Sequence, residues 1–202
     1  MDHLDATLTA AAPLLTRVDE VLNATGAPAG HAVWSQLRRV RLLPGDAVEA
    51  VAALDPVPFY AAVPTIRASA QTCAAVAADL PPPDTWTGEA ADAYDDRRAR
   101  TAAHLSGGDD SVTERLEATA DLAQAVADWM TQTRAAVAAA LAEAMTSSAA
   151  AALTPSARSS PAAQAAAAAD VAAHVLNAIA ESYTDAEDLL RASSDLTTAI
   201  PI

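Results

Sequence analysis

Three consecutive prolines, Pro81, Pro82 and Pro83, decide what this chain can fold into. Each fixes φ and none carries a backbone N–H, so a helix cannot run through them. The sequence predicts one helix ending at Leu80 and another beginning at about Trp86. Asp84 or Thr85 is placed to cap the second, and Glu89 lies in its first turn, where a carboxylate suits the positive end of the helix dipole. Upstream, Phe59, Val63, Ile66, Ala70, Cys73, Ala77 and Leu80 follow one another at steps of four and three. That is the heptad seam of a helix packed lengthwise on a neighbour. Pro64 falls in its first two turns. Downstream, Ala90, Tyr94, Thr101 and Leu105 form the expected facing stripe, so the two segments should close as a helical hairpin.

The material of that hairpin is mostly alanine. The chain has 57 alanines among 202 residues and only 3% aromatic residues, which favours helix and close approach but buries little area per residue. Lysine is absent and all 12 basic residues are arginine, a bias expected of a high-GC genome. The net charge of −14 argues against nucleic acid and against an anionic membrane surface, and permits a basic or neutral protein partner. Cys73 is the one cysteine, so no intrachain disulfide is expected, and its place on the apolar seam reads as inert core.

Three helices are expected before the hairpin. Leu4, Leu8, Leu15, Val18 and Leu22 make a stripe over residues 2–23, dented at Pro13 and ended by Gly26 and Pro28. Val33, Trp34, Leu37 and Val40 continue after His31, with Arg38, Arg39 and Arg41 as a basic cluster that reads either as a solvated face or as a docking patch. Pro44–Gly45–Asp46 starts a short helix over 47–54 with Val48 and Val51 inward.

After the hairpin, Gly107 and Gly108 stop the helix and Ser111–Val–Thr–Glu114 reads as a capping box. A heptad stripe then runs through Val112, Leu116, Thr119, Leu122, Val126, Trp129, Thr133, Val137, Leu141 and Ala144. It predicts a helix of roughly 40 residues, which spans 111–152 if unbroken. Residues 154–161 are a linker, and a last helix from Ala162 carries Val171, Val175, Ile179, Tyr183 and Leu190, before a loose end from Ala199. The expected fold is all-α: an extended bundle of five or six helices, with a short-helix region over 1–55, the hairpin and long helix over 56–153, and the last helix over 162–195.

Trp86-Thr87-Gly88, at a turn between two helices, resembles the signature of the WXG (Esx-like) superfamily of type VII secretion substrates. Tyr183-Thr-Asp-Ala-Glu187 is similar to the Tyr-x-x-x-Asp/Glu element of the same family. The resemblance covers about 57–106 and 162–191. Family members often run straight on where Gly107 and Gly108 interrupt this chain. The resemblance implies a non-enzymatic substrate or interaction protein, of a Gram-positive and specifically actinobacterial cell. It further implies that Trp86, Gly88, Tyr183 and Glu187 are read together as a secretion signal. The implied partners are the secretion ATPase and a small WXG-like protein, in a homo- or hetero-oligomer, and the implied location is cytoplasmic before export and extracellular or surface-bound after it.

The rest of the sequence agrees with that expectation. The start of the chain lacks a basic n-region followed by an apolar run, and 162–180 is interrupted by Gln164, Asp170, His174 and Asn177, too polar for a stable membrane span. Phosphate loops, GxSxG elbows and HExxH are lacking. Asp170 and His174, at i and i+4, are the nearest approach to a metal pair but lack the other ligands of a di-iron bundle. We therefore expect no enzyme activity, cofactor or metal. The alternative is a cytosolic helical adaptor, or the targeting module of a toxin encoded on a separate chain. Were 111–152 one helix, its rise of about 62 Å would bring Tyr183, descending in the last helix, level with Trp86.

Overall fold

The computed structural model describes residues 3–198. They form an all-α helical bundle of eight segments: α1 (His3–Thr25), α2 (Val33–Val40), α3 (Pro44–Ala52), α4 (Val57–Ala78), α5 (Glu89–Ser106), α6 (Val112–Thr146), α7 (Ser148–Ala152) and α8 (Pro161–Thr198). With α7 set aside as a single short segment, seven full helices replace the expected five or six. The expected loose end from Ala199 lies outside the described residues. The chain divides into two compact units: the described chain up to Asp55 with Trp129–Glu187, and Pro56–Asp128 with the described chain from Asp188. Both long helices, α6 and α8, contribute to each. The region 56–153 is thus shared between units at Asp128 and Trp129.

In the first unit, α1 buries Leu4, Ala11, Leu15, Val18, Val21 and Leu22, one face at helical spacing, while Pro13 sits on its exposed side. Gly26, at φ 68°, ends the helix in the left-handed region where a side chain would be strained. Against α1 lies α3, and the same core takes in Val33 and Val40 of α2 and an apolar face of α8: Ala168, Ala169, Val171, Ala172, Val175, Leu176, Ile179 and Ala180. Polar ties pin α8 along its length. Arg17 donates to Gln164 at 2.9 Å, Gln36 to Asn177 at 2.9 Å, and His31 meets Asp170 at 3.0 Å. His174 instead meets Glu143 at 3.1 Å, so Asp170 and His174 are drawn to different partners. Among the described residues no group of three His, Cys, Asp or Glu is arranged to hold a metal ion.

Both ends of α3 are held by side chains from elsewhere. At its start the Asp19 carboxylate accepts from the Gly45 N–H at 3.1 Å, and a Cβ on Gly45 would stand 2.5 Å from Asp19 Oδ2, so a side chain there would push the carboxylate aside. Burial, opposed by that hydrogen bond and reinforced by Asp46 and Glu49, lifts the Asp19 pKa from its usual 3.8 to about 6. At the other end, Arg134 of α6 is buried and its guanidinium donates to the carbonyls of Val51 (3.3 Å), Ala52 and Leu54 (3.0 Å), and to Asp5 at 3.1 Å. A helix leaves its last carbonyls unbonded, and Arg134 satisfies them with charged donors.

In the second unit, α4 and α5 pack on each other across the proline turn. Val63, Ala70 and Ala77 of the seam are buried and Ile66, Cys73 and Leu80 half-buried. Half of the expected α5 stripe stands, Tyr94 and Leu105 being half-buried, and the other half is one residue out of phase. Ala91 is buried and Ala102 half-buried, while Ala90 and Thr101 are exposed. With alanine on several faces, composition does not fix the helix's phase. The start of α6 is tied to the hairpin by Thr113, which donates to Leu105 O at 2.8 Å, and by Arg67, which reaches Asp121 at 2.9 Å. Ser111 Oγ accepts from the Glu114 N–H at 3.3 Å, the N-cap half of the predicted capping box.

Three further expectations are corrected. Thr119 is exposed, and Ala120 takes the buried place beside it. Leu190 is 68% exposed, no part of a core. The helix over 111–152 is not continuous. Ser147 adopts an extended backbone (φ −75°, ψ 156°), its hydroxyl accepting from Ala150 N at 3.1 Å, and so caps a new helix, α7. Serine competes for backbone groups in this way, and the alanine run that follows hides it from periodicity. The height argument that placed Tyr183 level with Trp86 loses its premise. Among the described residues no helix is long and apolar enough to cross a membrane.

Candidate functional site

The four motif residues fall in separate units: Trp86 and Gly88 in the second, Tyr183 and Glu187 in the first. Each half is built by its own local structure.

At the proline turn, α4 ends at Ala78 and α5 starts at Glu89, three residues later than expected. Neither Asp84 nor Thr85 caps it. The N-cap is Gly88, at φ 98°, a conformation that a side chain rarely adopts. No atom lies within 4 Å of a Cβ built there, so glycine is required by the backbone and not by close helix approach. Asp84 is left-handed too, at φ 53°, which lets the chain turn after the prolines. Tyr94 then closes the loop. Its hydroxyl donates to Pro81 O at 2.9 Å, and its ring lies 5.8 Å from that of Trp86 at an angle of 47°. Trp86 itself is 52% exposed. The indole is steadied on one side by Tyr94 and open on the other, so it does not plug the hairpin.

Tyr183 and Glu187 lie one turn apart on α8, on the same side of the helix. Tyr183 is half-buried against the apolar core of the first unit, and Glu187 is exposed. The ring lines a small apolar cleft of about 170 Å³, together with Val40 at the end of α2 and Leu42 just after it, Val51 of α3 and Leu54 beyond it, Trp129 and Thr133 of α6, and Ile179 of α8. The Trp129 indole donates to Ser182 O at 3.0 Å, which fixes α6 against α8 beside the tyrosine. Thr133 is 3% exposed, and its hydroxyl has no hydrogen-bond partner among the described residues. Trp129 was legible only as one point on a stripe, and Arg134 not at all, because neither the Ser182 carbonyl nor the end of α3 is near it in sequence.

The cluster Arg38, Arg39 and Arg41 stands at the end of α2. Arg38 and Arg39 occupy its last turn, where cations suit the helix dipole, and Arg41 is its C-cap at φ 62° and ψ 20°. All three are exposed. Among the described residues none of the three side chains makes a hydrogen bond or ion pair, while the Arg41 backbone N–H donates to Leu37 O at 2.8 Å. The chain matches no protein-family model, no curated protein and no solved structure.

Proposed function

We propose that the protein is a non-enzymatic substrate, or an associated interaction protein, of a type VII (Esx-like) secretion system of an actinobacterial cell, with Trp86, Gly88, Tyr183 and Glu187 as its signal. The observation that supports this reading best is the display of Trp86. Burying an indole stabilises a fold strongly, yet this one is half in solvent at the tip of a turn whose geometry is maintained by Tyr94, Pro81 and Gly88. A large exposed aromatic on a rigid loop is what a reading surface needs. Tyr183 and Glu187 add a ring beside a solvated carboxylate on one helix face. Because the two halves belong to different compact units, the receiving machinery engages them as two contacts, with a small WXG-like partner as a further candidate ligand of the hairpin.

The test is immunoblotting of culture supernatant from cells with and without the secretion ATPase, using the wild-type chain, Trp86→Ala and Tyr183→Ala. Export that needs the ATPase and is lost in both variants, with each variant still folded at the temperature of the assay, is the expected result. Equal distribution with and without the ATPase would sink the reading and favour the cytosolic adaptor.

A further inference from the structure

A threonine inside a helix has a ready partner for its hydroxyl, the carbonyl four residues back. Thr9, Thr25, Thr72, Thr101 and Thr119 all donate to that carbonyl, at 2.7–2.9 Å. Thr133, in the middle of α6, makes no such bond to Trp129. It is buried, so water does not stand in for the missing partner. Among the described residues it carries the one buried side-chain oxygen or nitrogen without a hydrogen bond. Valine would fill nearly the same space without the cost of a desolvated, unbonded hydroxyl. A hydroxyl kept there at that cost points to a partner from outside the chain.

Thr133 lines the cleft beside Tyr183, and the other lining residues say what can enter. Among the described residues that line it there is no Asp, Glu, Lys, Arg or His, so a charged group would lose its water with nothing to pair it. The neighbouring Glu187 is exposed and not part of the lining. Leu54, Trp129, Ile179 and Tyr183 supply apolar and aromatic surface on several sides. The volume of about 170 Å³ holds one ring, since an apolar cavity of about 150 Å³ takes up benzene. Drug-sized sites begin at about 300 Å³ and orient their ligands in the same way, by a few polar groups in an apolar wall. We infer that this cleft binds a neutral molecule of the phenol class, one ring whose single hydroxyl pairs with Thr133 Oγ. The inference is independent of export and holds for a cytosolic adaptor as well.

The probes are 4-fluorophenol, 4-fluorotoluene and 4-fluorobenzoate, titrated into the full chain and followed by fluorine NMR. The phenol should bind roughly tenfold more tightly than the toluene, as one hydrogen bond provides, and the benzoate should not bind. An apolar cleft without a polar contact would rank the toluene first, because it is the more apolar of the two. Thr133→Val should therefore reverse the order of phenol and toluene while raising the melting temperature of the unliganded chain. That opposition separates a ligand contact from a structural one. Ala50→Leu, at an exposed lining position that does not threaten folding, should block entry and abolish binding of both. A phenol group arrives either as a free molecule or as a partner's tyrosine side chain. Displacement of 4-fluorophenol by N-acetyltyrosinamide would assign it to a tyrosine and its failure to a free molecule, and the proposal stands in both cases. Toluene binding as tightly as phenol in the wild type, a phenol preference that survives Thr133→Val, a lower melting temperature in that variant, binding unchanged by Ala50→Leu, or no binding of phenol would each overturn it.

Discussion

Replacing Arg134 by methionine tests whether the end of α3 depends on one side chain. The methionine fills most of the same volume but removes every donor, leaving the carbonyls of Val51, Ala52 and Leu54 and the carboxylate of Asp5 without that partner. A hydrogen bond from a charged donor contributes about 1.5–3 kcal/mol, and since Nη1 has two hydrogens for its three carbonyls, three full bonds sum to roughly 5–9 kcal/mol. That sum overshoots, because the Val51 bond is long at 3.3 Å and the Asp5 side chain is 40% exposed. Water reaches Asp5 after the substitution, and an exposed ion pair contributes about 1 kcal/mol or less. The carbonyls lie deeper, so we expect a net loss of about 3–5 kcal/mol, the range for removing one partner of a buried charged contact. Urea unfolding followed by circular dichroism should show a lower midpoint with an unchanged slope. Asp5→Asn should cost under about 1 kcal/mol by the same measurement. Arg134→Met within about 1 kcal/mol of wild type would refute the carbonyl account. Equal losses in the two variants would move the energy to the ion pair.

Three further predictions follow from the same structure. Because the Asp19 carboxyl holds its proton up to about pH 6 in the fold and only to about 3.8 otherwise, the folded state binds more protons between those values. Stability should therefore fall as pH rises from about 4 to about 6; Asp19→Asn should flatten that slope and raise stability at pH 7 by about 1 kcal/mol, since water reaches the half-exposed carboxyl and screens it, and a thermal melt series that is flat in the wild type would count against it. Trp86→Ala should cost about 1–2 kcal/mol, well below the 3–5 kcal/mol of a fully buried ring, and a larger loss by thermal melting would mean that the indole is core after all. Ala172→Leu, at a fully buried position of α8, should destabilise by about 1–3 kcal/mol from overpacking, whereas Ala163→Leu on the exposed side should be close to neutral in urea unfolding.

Periodicity carried the reading of the fold where large and small residues alternate. Leu15, Val18 and Leu22 of α1, the seam through Val63, Ala70 and Ala77, and Val171, Val175 and Ile179 of α8 were all visible because each apolar side chain stands out from its neighbours. It failed where alanine occupies several faces at once. Part of the α5 stripe slipped by one, Ala90 and Thr101 standing for Ala91 and Ala102, and the break at Ser147 was hidden ahead of an alanine run. Leu190 was misread because a helix face stays apolar in sequence whether or not anything lies against it. The proline turn announced itself, but the start of α5 depended on a left-handed Gly88 that has no side chain to signal a cap. Arg41 could be seen as a charge and not as a strained one, since its left-handed backbone is a property of the fold.

The alanine seams have a calorimetric consequence. In the second unit the buried apolar residues among those described are Val63, Ala70, Ala77, Ala91, Ala120 and Ala127, each withdrawing little carbon surface from water. The heat capacity of unfolding rises with apolar surface exposed and is lowered by peptide groups, and here peptide groups are many and apolar surface sparse. The increment should therefore lie below the usual figure of about 12–15 cal/mol/K per residue. A small increment flattens the dependence of stability on temperature, so this unit would change little in strength between a cold and a warm cell.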